Sequence, residues 1–167
     1  MAIEHTELIS LVAEVAATFI GFSLAIGLLQ PDQPSAPRRL QSMRSVAELA
    51  IIAAGGALLA LALDAFHLSS EMVWRYASTT IFVLWLTLHM LAVGRFKRAG
   101  TLVKESRFLQ IAAIIAFAGM GPLLWNAVFS SEYSGARFTA ALILALADAA
   151  FLFLLAAFED GDNHTAA

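Results

Sequence analysis

The sequence predicts an all-α fold: a polytopic membrane protein built as a compact bundle of five transmembrane helices, one domain over residues 1–167. Three observations predict it. First, 60% of the residues are hydrophobic, 14% are charged and the mean hydropathy is +0.78. A soluble domain has about 45–50% apolar and about 25% charged residues, and at this size too little interior to hide the excess. Second, the apolar residues fall into five runs, each near the roughly 20 residues that cross a bilayer core of about 30 Å. Third, those runs show no strand-like alternation, which favours helices over barrel strands. The same composition excludes a disordered chain, and the absence of Cys excludes a disulfide scaffold. A net charge of -3 and a pI near 5.7 lack the basic excess of a nucleic-acid binder. The expected partner is the lipid bilayer, with no nucleic acid.

The first span is Leu8–Leu29. It lacks the basic leader of a signal peptide, carrying Glu4, His5 and Glu7 instead, and reads as a retained helix. Ala13, Ala17, Gly21 and Ala25 recur at four-residue intervals, a stripe that admits a neighbouring helix closely. Pro31, Pro34 and Pro37 then stand at every third position, the spacing of a stiff extended connector. Arg38 to Arg44 starts the second helix ahead of its span, Ser45–His67. There Glu48, Ile52, Gly56, Ala60 and Asp64 form one stripe. The third span is Arg75–Gly94. The fourth is Phe108–Phe129, where Gly119-Met120-Gly121-Pro122 predicts a kink. The fifth is Arg137–Phe158, with Ala141, Ala145 and Ala149 beside Asp148. Trp74, Tyr76 and Trp125, near span ends, read as interface anchors.

Basic residues set the orientation. Arg38, Arg39, Arg44, Arg95, Lys97, Arg98, Lys104 and Arg107 fall on one side of a five-span chain, against Arg75 and Arg137 on the other. The positive-inside rule then places the N-terminus outside and the C-terminus inside. Short connections and the lack of Cys fit a multi-pass protein of a bacterial inner membrane.

Polar residues inside the spans carry the functional signal. Burying a charge in hydrocarbon costs about 2.5–3.5 kcal/mol or more. Glu14, Glu48, Asp64 and Asp148 are acids in spans, joined by His89 and Asn126, and no Lys or Arg lies in the middle of any span. Glu48, four residues after Arg44, reads as an interfacial ion pair, and His89 as a packing residue. Glu14, Asp64 and Asn126 share the outer half with Asp148 beneath them. These four form the candidate ion- or proton-binding set. Asp64 and His67, three residues apart, share a helix face and offer two ligands to a divalent metal, with Glu4, His5 and Glu7 on the same side. There is no His-Glu-x-x-His motif, no Gly-x-Ser-x-Gly elbow and no phosphate-binding Gly loop, so no enzyme is expected.

The resulting expectation is a small homo-oligomeric proton or cation channel or transport protein. It needs no cofactor beyond a bound cation. The alternative is a non-catalytic membrane subunit that assembles with a membrane partner protein. An intramembrane metalloenzyme built on Asp64 and His67 ranks third. An odd number of spans puts the two termini on opposite sides of the membrane. Reporter fusions at the two ends check this, and termini found on the same side refute five spans.

Overall fold

The computed structural model describes residues 6–29, 36–98, 106–129 and 131–158. They form five helices: α1 (Thr6–Leu29), α2 (Ala36–Ala65), α3 (Ser70–Arg98), α4 (Ser106–Val128) and α5 (Ser134–Phe158). All five are long and apolar enough to cross a membrane, over Thr6–Ile26, Ser42–Ala65, Ser70–Arg98, Gln110–Val128 and Ser134–Leu155. Helix α2 begins well before the apolar run Ser45–His67, and α3 extends beyond the run Arg75–Gly94 at both ends. Hydropathy marks only the apolar part, whereas Ala, Leu, Arg, Gln and Met all favour helix and carry it on through polar sequence. At 1.5 Å per residue α3 is roughly 43 Å long, against a bilayer core of about 30 Å. The proline connector lies largely outside the described residues. Pro37 falls in the first turn of α2, where its missing N–H leaves no bond unmade.

The caps are local. The Met72 amide donates to Ser69 Oγ at 3.4 Å, so Ser69 caps the start of α3. His67 closes α2 in the left-handed region, with φ 57°, and its amide donates to the Asp64 carbonyl at 2.9 Å. His is among the non-glycine residues that tolerate that conformation best.

The bundle is organised around α2 and α5. Helix α2 packs on α1, α3 and α5, and α5 also packs on α4, with smaller contacts to α1 and α3. Their shared seam is made of small residues: Gly56 and Ala60 from α2, and Ala141, Ala145 and Ala149 from α5, all buried. A methyl group on Gly56 would lie 2.7 Å from Leu142 Cδ2 and 3.2 Å from Ile81 Cγ1. The glycine is therefore where three helices meet.

The structure places three of the features singled out above, and corrects one of them, Trp74. Helix α1 buries Ile9, Val12, Ala16 and Ser23, while Ala17, Gly21 and Ala25 of the small-residue stripe are exposed. Glu14 flanks that stripe, so turning it inward would bury an unpaired carboxyl in the apolar core at several kcal/mol. Trp74 is no interface anchor. It is 5% exposed, packed on Phe138 with ring centroids 5.6 Å apart, and Gly135 leaves room for its indole. Tyr76 and Trp125 are exposed as expected. Finally, α4 is continuous from Ser106 to Val128 with Pro122 inside it. Gly119 seats Trp85: a methyl there would lie 2.8 Å from the indole Cζ3.

Gly119→Ala and Gly121→Ala separate packing from helix propensity. Gly121 has open space where its side chain would be, so Gly121→Ala leaves stability unchanged or raises it by up to about 1 kcal/mol. Gly119→Ala forces the rigid Trp85 ring to move, and is expected to fall below it by about 1–3 kcal/mol. Thermal unfolding of the two variants in detergent checks the difference.

Candidate functional site

Four helices enclose a pocket of about 310 Å³ in the half of the bundle that holds the start of α2 and the end of α3. Its floor is buried: Ser45, Leu49 and Ile52 from α2, Trp85 from α3, Ala112 from α4 and Asp148 from α5. Its rim is exposed at Val93 on α3 and Gln110 on α4, so the pocket opens along the α3–α4 seam. His89 stands on the wall, half-buried, with its ring edge-on to Phe117 at 5.7 Å.

Besides His89 and Gln110, the polar atoms on this wall fall into two groups. Glu48 is fully engaged. It accepts from Arg44 Nε at 2.9 Å within α2, and from Arg95 Nη2 at 2.5 Å across to α3. Arg44 was legible from the four-residue spacing. Arg95 was not. It stood just past the apolar limit of the third span, and only the longer α3 carries it back over Glu48. The expected Arg44–Glu48 pair is present, and Arg95 adds a second cation from another helix.

The second group has buried polar atoms with no hydrogen-bond partner among the described residues. These are Asp148 Oδ1, Trp85 Nε1 and Ser45 Oγ. Buried polar groups are satisfied in the great majority of cases, so unsatisfied ones call for an account. Asp148 is only 3% exposed, and it makes no ion pair among the described residues. Trp85 and Ser45 were missed by the sequence reading. An indole on an apolar helix and a serine at a span edge carry no signal of their own. The i,i+3 and i,i+4 logic shows faces, and not which faces meet.

The other candidates lie elsewhere. Gly56 meets Leu142 on the α2–α5 seam. From that level Asp64 rises toward one end of the bundle and Asp148 descends toward the other, which separates them by roughly 20 Å along the axis. Asn126 is buried where α3, α4 and α5 converge. Its Nδ2 donates to the Ser134 carbonyl at 2.7 Å and to Ser78 Oγ at 3.4 Å. Ser134 sits roughly 20 Å from Asp148 along α5. Asn126 thus ties the α4–α5 turn, although its Oδ1 has no partner among the described residues. Glu14 is exposed on the outer face of α1. The four residues therefore do not surround one point; Asp148 alone reaches the pocket. Asp64 is half-buried and His67 exposed. No group of three His, Cys, Asp or Glu able to hold a metal occurs among the described residues. Glu4 and His5, expected to complete that set, lie outside them.

Compared with known proteins, the chain matches no protein-family model, no curated protein and no solved structure. Function is therefore argued from its own side chains.

The two ion pairs of Glu48 should differ in strength. The Arg95 side chain is 22% exposed and that of Arg44 is 64% exposed. A double-mutant cycle with Glu48→Gln and Arg95→Met is expected to give a coupling of about 1–3 kcal/mol. The cycle with Arg44→Met should give under about 1 kcal/mol, because exposed pairs are screened. Equilibrium unfolding measures both, and equal couplings would overturn the ranking.

Proposed function

We propose that the chain is a multi-pass membrane transport protein for protons or cations, with its N-terminus outside and its C-terminus inside a bacterial inner membrane. Asp148 is the residue that takes up and releases the cargo. One observation carries this reading: a carboxyl group buried at the wall of a pocket, with one oxygen unpartnered and no counter-charge among the described residues. An acid at membrane depth is costly unless protonated or bound to a cation. That makes it a group whose occupancy changes with its surroundings.

The surroundings favour a single-site carrier over a continuous pore. Asp148 is reached through the pocket, which opens along the α3–α4 seam. Toward the opposite half of the bundle the α2–α5 seam is filled where Gly56 meets Leu142 and Ile81. Glu48 is neutralised by its two arginines and leaves Asp148 as the acid on the pocket wall free to respond. The homo-oligomeric state belongs to the same proposal. Exposed Glu14 lies beside exposed Ala17, Gly21 and Ala25, a face better covered by protein than by lipid. That same face also supports the second reading, a non-catalytic subunit that docks through α1 on a membrane partner.

Asp148→Asn keeps the shape of the side chain and removes its charge. In proteoliposomes with an imposed pH gradient, it is expected to lower flux at least about tenfold, as the loss of an obligatory proton or cation acceptor requires. Flux that is unchanged in Asp148→Asn removes the role of Asp148. A purified wild-type chain with no flux, recovered together with a second membrane protein, favours the subunit reading.

A further inference from the structure

The pocket around Asp148 has a composition that selects among cations. A bare divalent or alkali ion needs several oxygen ligands, typically six or more for a hard cation. The pocket offers few. The Glu48 oxygens are held by Arg44 and Arg95, and Leu49, Ile52, Leu88 and Leu152 are apolar. What remains is one carboxylate oxygen, an indole N–H and a serine hydroxyl, all three buried and without a partner among the described residues, with half-buried His89 on the wall and exposed Gln110 at the rim. A volume of about 310 Å³ falls within the range of small-molecule sites, about 300–1,000 Å³, which are mostly apolar with a few placed polar groups.

From this geometry we infer that the pocket binds a lipophilic organic amine in its ammonium form. The ammonium head donates to Asp148 Oδ1, and the hydrocarbon body lies between Trp85, Leu88 and Leu152. A charge-assisted hydrogen bond to a desolvated carboxylate is about twice as strong as a neutral one. The bound cation also removes the cost of the unpaired acid. The Arg95 guanidinium is turned onto Glu48 at 2.5 Å, and the excess positive charge of the three-residue cluster falls to Arg44, whose side chain is 64% exposed and screened. The exposed rim at Val93 and Gln110 places the entrance on the flank of the bundle, between α3 and α4. An amine dissolved in the apolar phase reaches Asp148 by that route. This inference deepens the proposed transport function and rests on Asp148 being its cargo site.

The test uses the full chain in lipid nanodiscs with tritiated 4-phenylbutylamine, counted against empty nanodiscs, and 4-phenylbutanol as the neutral isostere. Saturable binding is expected, with a change in tryptophan emission from Trp85. Asp148→Asn should weaken the amine at least about tenfold, equal to about 1.4 kcal/mol. Ala113→Phe, which leaves the carboxyl in place and fills the pocket, should weaken it by a similar factor. The alcohol should bind at least about tenfold more weakly than the amine. No saturable binding, or amine and alcohol bound alike and indifferent to Asp148→Asn, overturns the inference; the latter result identifies a plain apolar or lipid-chain site. Proton flux measured without amine separates the two proposals. Asp148-dependent flux with no amine binding overturns this inference and leaves the transport reading standing. Asp148-dependent amine binding without proton flux supports the inference and counts against protons as the cargo.

Discussion

The close approach of α2 and α5 is the constraint on which the rest of the bundle depends. Gly56, Ala60, Ala141, Ala145 and Ala149 let the two backbones come together, and Leu142 and Ile81 fill the space that Gly56 leaves. Small residues at such a seam let the helices approach closely and pack over a long contact. Once α2 and α5 are joined, α1 lies against α2, α4 lies against α5, and α3 spans α2 and α4. The small residues end at Ala149. Beyond it the facing side chains are larger, Leu49, Ile52 and Leu152, and the pocket occupies that level. The seam that closes one part of the bundle thus sets where the other part stays open, and Asp148 sits at the change from one to the other.

Much of this was legible beforehand, for physical reasons that differ by element. The five helices follow from length and hydropathy, because each apolar run is near the roughly 20 residues that a helix needs to cross a bilayer core. The buried stripes of α2 and α5 follow from a strict four-residue spacing of small residues. The stripe on α1 has the same spacing and points outward. Spacing is a property of one helix, while burial depends on the whole face, and on α1 the face includes Glu14. Trp74 shows the same limit: its position near a span end suggested an anchor, and the glycine that makes room for it, Gly135, comes from another helix.

The site was legible in part. Asp148 stood out as an acid deep in an apolar run, and it is the acid that reaches the pocket. Its companions did not follow from depth. Asn126 and Asp64 lie at the far end, one engaged by Ser134 and Ser78, the other near the α2 terminus where its carbonyl accepts from His67. The groups that share the pocket with Asp148 come from α2, α3 and α4, and only tertiary packing brings them there. The Glu48–Arg95 pair is the clearest case. Each residue alone reads as a span-edge charge; together they remove one acid from competition and leave the pocket a single carboxylate to respond with.

The seat of Trp85 on Gly119 has a mechanical consequence. Pro122 stands one turn along α4, and its ring nitrogen leaves the carbonyl of Ala118 without the usual helical donor. The helix is therefore softest next to the place where an indole from α3 lies in its groove. A bend of α4 about that point would bear on the Trp85 ring at its Cζ3 and Cη2 edge, and the same ring lines the pocket. Helix curvature and pocket shape thus share one side chain.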